Sequence, residues 1–113
     1  MMNEELKKQL RNRGICVIIP TYNNDTMIKT VVEKSLLYCD DVIVVTDGCT
    51  DRTTDILDAI DGITIVSYPQ NRGKGYALKM GFRKALEMGF SYAITLDGDG
   101  QHYPEDIPLF LKA

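Results

Sequence analysis

The segment AITLDGDGQH covers residues 93–102, and in it an apolar run stops at two aspartates, Asp97 and Asp99. A short apolar run of this kind is typical of a buried strand. The stop therefore places both carboxylates at the carboxyl end of that strand, where open α/β sheets bind their ligands. Two carboxylates so close together repel each other unless a cation lies beside them. A divalent metal ion that carries a phosphorylated ligand is the simplest such cation.

The same segment fits other interpretations. Asp-Gly pairs are common in surface turns, so a turn that binds nothing is one of them. A calcium loop of the EF-hand type is excluded, because it needs glycine at its sixth position and glutamate at its twelfth, where this chain has His102 and Pro108. A phosphatase with Asp97 as nucleophile and Asp99 as acid would also follow a strand, and it stays open on this segment alone.

Hydrophobic periodicity along the rest of the chain predicts that strands and helices alternate. It predicts strands over residues 15–19, 42–45, 64–68 and 92–96, and helices over 27–38, 52–60 and 75–88. Pro20 and Pro69 are predicted to end two strands, Gly89 to stop the third helix and Pro104 to open a last one. Strands that are apolar on both faces predict an α/β fold, a parallel sheet with helices on both faces. We predict the strand order 3-2-1-4, with a ligand crevice where the order reverses.

Composition narrows the class of protein. The chain has 113 residues and a net charge of −3, so it is one domain without the basic footprint of a nucleic-acid-binding protein. No apolar stretch approaches the roughly twenty residues of a membrane span, and the polar N-terminus is not a secretory signal. Residues 1–14 are predicted to form a solvated leader helix, with Leu6 and Leu10 on a thin apolar face. The chain has three cysteines, and no pair of them has metal-ligand spacing, a pattern that suits the reducing cytoplasm. Cys16 lies in a predicted strand and is predicted to be a core residue.

Four polar motifs follow the four predicted strands and therefore meet at one edge of the sheet. They are PTYNN at 20–24, TDGCTD at 46–51, NRGKG at 71–75 and DGDGQH at 97–102. In this order and spacing they resemble the family 2 glycosyltransferases, from about Ile15 to Ile107. The resemblance implies the GT-A fold, a Rossmann-like fold of nucleotide-diphospho-sugar transferases. It further implies that residues 15–113 are the portion that binds the nucleotide-sugar.

The resemblance also implies roles for individual residues. Tyr22 would pack at the base, Asp47 would accept a hydrogen bond from a ring N–H of the base, and Lys74 would place a cation on the diphosphate. Asp97 would face the ribose and the metal, and Asp99 would hold Mg²⁺ or Mn²⁺ on the diphosphate. The complete nucleotide-sugar set is Pro20, Thr21, Tyr22, Asn23, Asp47, Gly73, Lys74 and Asp97, and the metal set is Asp97, Asp99 and His102.

The implied function is inverting sugar transfer from a UDP- or GDP-sugar. The motif DGDGQH with Pro104 and Glu105 looks most like the branch that loads sugars onto polyprenyl phosphates. We expect a cytoplasmic protein, peripheral at the inner face of the membrane if that acceptor is right. Relatives are about twice as long, so we expect the acceptor half and its catalytic base to be absent, and we assign no catalytic residue. We also expect a homo-oligomer, and a non-catalytic nucleotide-binding or assembly module of the same fold stays open.

Overall fold

The computed structural model describes residues 2–97 together with Pro104 and Ile107. Helices and strands alternate along this part of the chain, as the periodicity predicts. The elements are α1 Met2–Asn12, β1 Ile15–Thr21, α2 Ile28–Tyr38, β2 Val42–Asp47, α3 Thr53–Asp58, β3 Ile63–Tyr68, α4 Lys74–Glu87 and β4 Tyr92–Thr95.

The four strands form one parallel sheet with the order β3-β2-β1-β4, which confirms the predicted fold class and strand order. β1 pairs with β2 as far as Thr21 opposite Thr46. β2 pairs with β3 as far as Asp47 opposite Tyr68. The strand order reverses between β1 and β4, so the carboxyl ends of β1, β2 and β4 border the predicted crevice.

The core has two layers because β1 and β2 are apolar on both faces. Every residue of β2 is buried, as are the last six of the seven residues of β1. Alternate side chains of β1, Val17 and Ile19, pack with α1, α2 and α3, while Cys16 and Ile18 pack against α4 on the opposite face. Helices therefore cover both faces of the sheet, as predicted.

The prediction that Pro20 ends the first strand is wrong, because β1 continues to Thr21 with Pro20 opposite Val45. The hydrogen bonds explain why proline is tolerated. In a central parallel strand, successive residues form their backbone hydrogen bonds alternately with the strand on one side and the strand on the other. Val17 N–H donates to Asp41 O beside β2, and the next residue, Ile18, accepts through its O from Leu96 N beside β4. Pro20 therefore turns its missing N–H toward β4, where it ends the β1–β4 ladder without weakening the pairing with β2.

The predicted N-terminal helix is present and most of its residues are exposed, but its thin apolar face packs on the core instead of facing solvent. Leu10 is 1% exposed and belongs to the core on the face covered by α2 and α3. Two ion pairs join the helix to the start of β2, Lys7 Nζ to Asp40 Oδ1 at 3.2 Å and Arg11 Nη2 to Asp41 Oδ1 at 3.3 Å. Both pairs are partly exposed, and such pairs contribute little, so burial of Leu10, with Leu6 packed beside it, provides most of the attachment.

Helix boundaries depart from the predictions by one to two residues. α3 begins at Thr53 rather than Arg52 and ends early, because Ala59 and Ile60 donate to the residues three back and tighten the last turn. α4 is followed by Gly89 at a φ of +89°, as the predicted stop requires. The helix predicted after Pro104 lies outside the described residues. Within the described part of the chain, no helix has both the length and the apolar character needed to cross a membrane.

Candidate active site

The loops after β1 and β2 are joined by the side chain of Asn23, which brings the first two predicted motifs together. Its Oδ1 accepts hydrogen bonds from Thr50 N at 2.7 Å and from Asp51 N at 3.2 Å, and its Nδ2 donates to Thr50 Oγ1 at 3.1 Å. Its backbone is left-handed, with a φ of 45°, a conformation that asparagine tolerates better than most residues. Asn23 thus fixes the geometry of the loop that follows Thr21.

Cys49 lies at the same junction. Its Sγ accepts a hydrogen bond from Asn23 N at 3.4 Å and donates to Thr21 O at 3.6 Å. Burial raises the pKa of the Cys49 thiol, which therefore stays protonated and able to donate. The Cys49 thiol therefore bridges the loops that follow β1 and β2.

Asp51 lies two residues before the first residue of α3, Thr53, and caps that helix. Asp51 Oδ1 accepts from Thr53 N at 2.9 Å, and Oδ2 accepts from Asp25 N at 3.2 Å. Burial acts to raise the pKa of Asp51, but the hydrogen bonds from Thr53 and Asp25 prevail and lower it. This carboxylate is therefore structural, and it links α3 to the loop after β1.

Asp47 lies at the end of β2 and is 4% exposed. Its Oδ1 accepts a hydrogen bond from Arg72 N at 2.8 Å, and its Oδ2 accepts from Gly73 N at 3.0 Å. Its backbone O accepts from Asn71 Nδ2 at 3.4 Å. Asp47 therefore contacts the NRGKG motif, and its role as an acceptor from the base stays a prediction.

Lys74 and Asp97 form the ion pair that joins the third and fourth motifs. Lys74 Nζ lies 2.7 Å from Asp97 Oδ1, and the Lys74 side chain is 60% exposed whereas that of Asp97 is 16% exposed. Lys74 is the first residue of α4, and Gly73 precedes it at a φ of +93°. The cation predicted for the diphosphate thus lies against the predicted metal ligand, at the N-terminus of a helix.

The end of β1 supplies a buried hydroxyl. Thr21 is 5% exposed, and its Oγ1 has no hydrogen-bond partner among the described residues. Pro20 is buried within β1, whereas Tyr22 is 52% exposed and so does not belong to the core. An unpartnered buried hydroxyl beside an exposed aromatic ring suits a ligand that brings its own polar groups.

The sequence analysis missed three residues around the NRGKG motif. The rings of Tyr68 and Tyr76 meet edge to face with centroids 5.1 Å apart, and the Arg72 guanidinium lies 5.2 Å from the Tyr76 ring centroid. Burial, followed by the nearby Asp47 carboxylate, raises the pKa of Tyr68. Tyr68 precedes Pro69 at the end of a predicted strand, which was the signal that could have revealed it.

The predicted metal ligands Asp99 and His102 lie outside the described residues, and Asp97 lies within them. In the described ranges, no group of three or more histidine, cysteine, aspartate or glutamate side chains is arranged to hold a metal ion. The assignment of Asp97, Asp99 and His102 as a metal set therefore stays a prediction.

The family model described as "Glycosyl transferase family 2" matches residues 16–113, which is most of the chain. The chain belongs to glycosyl transferase family 2. This confirms the resemblance that the four motifs indicate. Asp47, Lys74 and Asp97 all lie within the matched residues.

Curated relatives of this family-2 chain include sugar transferases that act on polyprenyl phosphates. It is 36% identical to a UDP-N-acetylglucosamine–dolichyl-phosphate N-acetylglucosaminyltransferase from Methanococcus voltae, covering 87% of this chain and 46% of the relative. It is 33% identical to a polyprenol monophosphomannose synthase from Mycolicibacterium smegmatis, covering 86% of this chain and 39% of the relative. The chain thus spans less than half the length of these relatives.

Solved structures support the same fold. The family-2 chain superposes on glucosyl-3-phosphoglycerate synthase from Mycobacterium tuberculosis, solved with Mn²⁺, UDP and glucosyl-3-phosphoglycerate. The TM-score is 0.73 at 27% sequence identity, over 97% of this chain and 42% of that one. The described sheet and helices are therefore those of a GT-A glycosyltransferase.

Proposed function

We propose that this chain binds the nucleotide-sugar donor of a family 2 glycosyltransferase that transfers the sugar with inversion. The observation that carries the proposal is the Lys74–Asp97 pair, 2.7 Å long, at the carboxyl edge of the sheet. It unites an exposed cation at a helix N-terminus with a mostly buried carboxylate at a strand end, and these are the two kinds of group that a diphosphate and its metal ion require.

The base and ribose fit the side of the crevice formed by β1. Tyr22 offers an exposed ring for the base, and Thr21 Oγ1 offers a buried hydroxyl without a partner among the described residues. Pro20 and Asn23 shape this wall, the latter by holding the two loops together. Preformed loops of this kind bind with a smaller ordering cost.

The diphosphate fits the side formed by Gly73 and Lys74. Without a donor, the Lys74 ammonium neutralises Asp97. We propose that the diphosphate draws the exposed lysine side chain away, which leaves the Asp97 carboxylate for a divalent metal. Lys74 would then stabilise the negative charge that develops on the leaving nucleoside diphosphate.

A divalent metal fits the chemistry of the predicted set. Asp97 and Asp99 supply carboxylate oxygens, which Mg²⁺ and Mn²⁺ prefer, and His102 supplies an imidazole that suits Mn²⁺ better. The similar synthase from Mycobacterium tuberculosis was solved with Mn²⁺ and UDP. When bound, the metal would act as a Lewis acid on the leaving diphosphate.

The acceptor we propose is a polyprenyl phosphate, because the named relatives from Methanococcus voltae and Mycolicibacterium smegmatis carry dolichyl-phosphate and polyprenol substrates in their names. Such an acceptor places the transfer at a membrane surface, and we propose its inner, cytoplasmic face. The base that deprotonates the acceptor is not assigned to any residue of this chain.

Homo-oligomer formation is a separate part of the proposal. β4 is the outermost strand on its side of the described sheet, and its residues Tyr92–Thr95 carry neither charge nor proline. Exposed strand edges of this kind pair readily with other chains. Sedimentation velocity at micromolar concentration should show a dimer or larger species, and a monomer at all concentrations would contradict this part.

Calorimetry with UDP and GDP, each with Mn²⁺ and with EDTA, tests donor binding. We expect metal-dependent binding of at least one nucleotide, with the melting temperature rising as the ligand concentration rises. Asp97→Asn should remove the metal-dependent part, whereas Asp58→Asn, at an exposed position on α3, should leave it unchanged. Equal affinity with Mn²⁺ and with EDTA would contradict the metal assignment, and binding of neither nucleotide would contradict the proposed function.

A further inference from the structure

Helix α4 carries an apolar stripe that does not belong to the core. Leu78, Phe82 and Leu86 are spaced four residues apart, so they line up along one side of the helix. Phe82 is 44% exposed and Leu86 is 73% exposed. The helix packs on the sheet through a different stripe of small residues, and neither core layer of the described residues includes any of these three side chains. Core packing therefore does not account for their apolar character.

Two exposed basic residues, Lys79 and Arg83, border this stripe. Neither forms an ion pair with another residue that the structure describes, whereas the other two basic side chains of the helix are each paired with a carboxylate. The stripe and its two cations line one groove on the surface. We call this set the α4 patch, and it consists of Leu78, Lys79, Phe82, Arg83 and Leu86.

Helix α4 is basic in an otherwise acidic chain. It has four basic residues and one acidic residue, a net charge of +3, whereas the chain as a whole has a net charge of −3. Two copies of the α4 patch facing each other would repel, so charge favours an anionic partner over a second copy of the chain. An apolar stripe beside exposed cations is typical of helices that lie on anionic membranes, because the apolar side chains enter the lipid while the cations stay at the headgroups.

We infer that the α4 patch docks the protein on an anionic lipid surface. Its apolar side chains enter the acyl boundary, and Lys79 and Arg83 contact the phosphates of the headgroups. The inference deepens the proposed function and rests on it in one respect, which is that the proposed transfer takes place at a membrane. Because α4 begins at Lys74, a protein docked through this helix holds the proposed donor site close to the same surface.

Co-sedimentation with vesicles tests the inference without any nucleotide. The chain is mixed with vesicles of phosphatidylcholine alone or of phosphatidylcholine with phosphatidylglycerol, at low and at high salt. We expect binding to the vesicles that contain phosphatidylglycerol, although the chain and these vesicles are both negative overall, and we expect it to weaken as salt screens the charges. Absence of binding, or equal binding to both kinds of vesicle, would overturn the inference.

Variants of exposed residues locate the contact. Arg83→Glu should weaken vesicle binding by a factor of about twenty-five, because a charge near an anionic surface is worth about fivefold and the reversal changes two charges. Leu86→Ser should weaken it about tenfold through lost burial in the lipid. Lys29→Glu and Leu37→Ser are the matched controls, because both change exposed positions of α2 in the same way. The controls should bind like the wild type, and losses equal to those of the α4 variants would contradict a contact at α4.

A second copy of the chain is the other occupant that the experiment can detect. Sedimentation velocity without vesicles compares the wild type with Leu86→Ser and Leu37→Ser. We expect all three to have the same oligomeric state. If Leu86→Ser alone dissociates an oligomer that the wild type forms, the α4 patch is an interface between copies, and the lipid inference is wrong.

Calorimetry with Mn²⁺ and UDP separates this inference from the proposed function. Arg83→Glu and Leu86→Ser should keep the UDP affinity of the wild type, because neither residue belongs to the proposed donor site. If the wild type binds vesicles through the α4 patch but binds no nucleotide, the proposed function fails and the docking surface stands. If it binds the nucleotide but no vesicles, only the docking surface fails.

Discussion

Two glycines with similar backbone angles differ in what surrounds them. Gly48 has a φ of +66° and lies against the backbone of Gln70 and Asn71, whereas Gly62 has a φ of +83° and has nothing within 4 Å of an added Cβ. The left-handed backbone disfavours a side chain equally at both positions. Any further cost at Gly48 therefore measures the contact between the turn at Asp47 and Gly48 and the loop at residues 70–73.

Gly48→Ala should lower the free energy of unfolding by more than about 3 kcal/mol, because the strained backbone and the clash with the loop add. Gly62→Ala should cost only about 1 kcal/mol, the penalty for the left-handed backbone alone. Urea unfolding of both variants measures the difference. Equal losses would mean that the turn and the loop are not packed together.

At the scale of residues, the sequence predicted which polar side chains lie at the sheet edge better than it predicted what they contact. Asp47, Lys74 and Asp97 were singled out because polar residues follow apolar strands at one sheet edge. Their partners could not be predicted, because Asp47 contacts Arg72 and Gly73, 25 and 26 positions away, and loop conformation has no periodic signal. The Lys74–Asp97 ion pair could not be predicted for the same reason.

At the scale of elements, α4 shows how side-chain size sets the distance between helix and sheet. Its buried face consists of Ala77, Gly81 and Ala85 at a spacing of four residues. A Cβ built on Gly81 would lie 2.6 Å from Ile18 Cγ2 and 3.3 Å from Val45 Cγ2. The helix therefore lies as close to β1 and β2 as glycine allows.

Gly81→Ala should destabilise the protein by about 1–3 kcal/mol, although alanine favours helices, because the buried β-branched side chain of Ile18 has no room to move. Gly75→Ala, in the first turn of the same helix with nothing within 4 Å, should be neutral or stabilising by up to about 1 kcal/mol. Thermal unfolding measures both. A stabilised Gly81→Ala would mean that helix propensity outweighs the contact.

The elements themselves were predicted well because periodicity reports which faces are buried. The structure confirms the predicted strand order, which belongs to the few orders that right-handed crossovers allow. Two features were not predictable in this way. Pro20 stays in β1 because its missing N–H faces β4, and α1, whose other residues are mostly polar, packs on the core through Leu10 and Leu6. Both depend on which neighbour lies alongside, and the sequence of one element does not contain that information.

At the scale of the whole molecule, both core layers contain a free thiol. Cys16 lies in the layer under α4, and Cys39 lies in the layer under α1, α2 and α3. Burial raises the pKa of each thiol from the ordinary 9.0 to about 11. The folded state therefore binds both thiol protons more tightly than the unfolded chain does. The stability of each core layer should fall at alkaline pH for the same reason.

The stability that these thiols provide should be complete below pH 9 and should be lost as the pH rises from about 9 to about 11, because the unfolded chain releases its thiol protons first. Each thiol contributes a slope of up to about 1.4 kcal/mol per pH unit in this window. Urea unfolding under reducing conditions at pH 7, 9 and 10 measures the slope for the wild type and for Cys16→Ala with Cys39→Ala. The double variant should be less stable at pH 7, because it loses buried atoms, yet its stability should fall less between pH 9 and 10. Cys49→Ala serves as the control for a partly exposed thiol whose pKa is also raised. If the wild type and the double variant lose stability in parallel above pH 9, the alkaline sensitivity does not originate in the two core thiols.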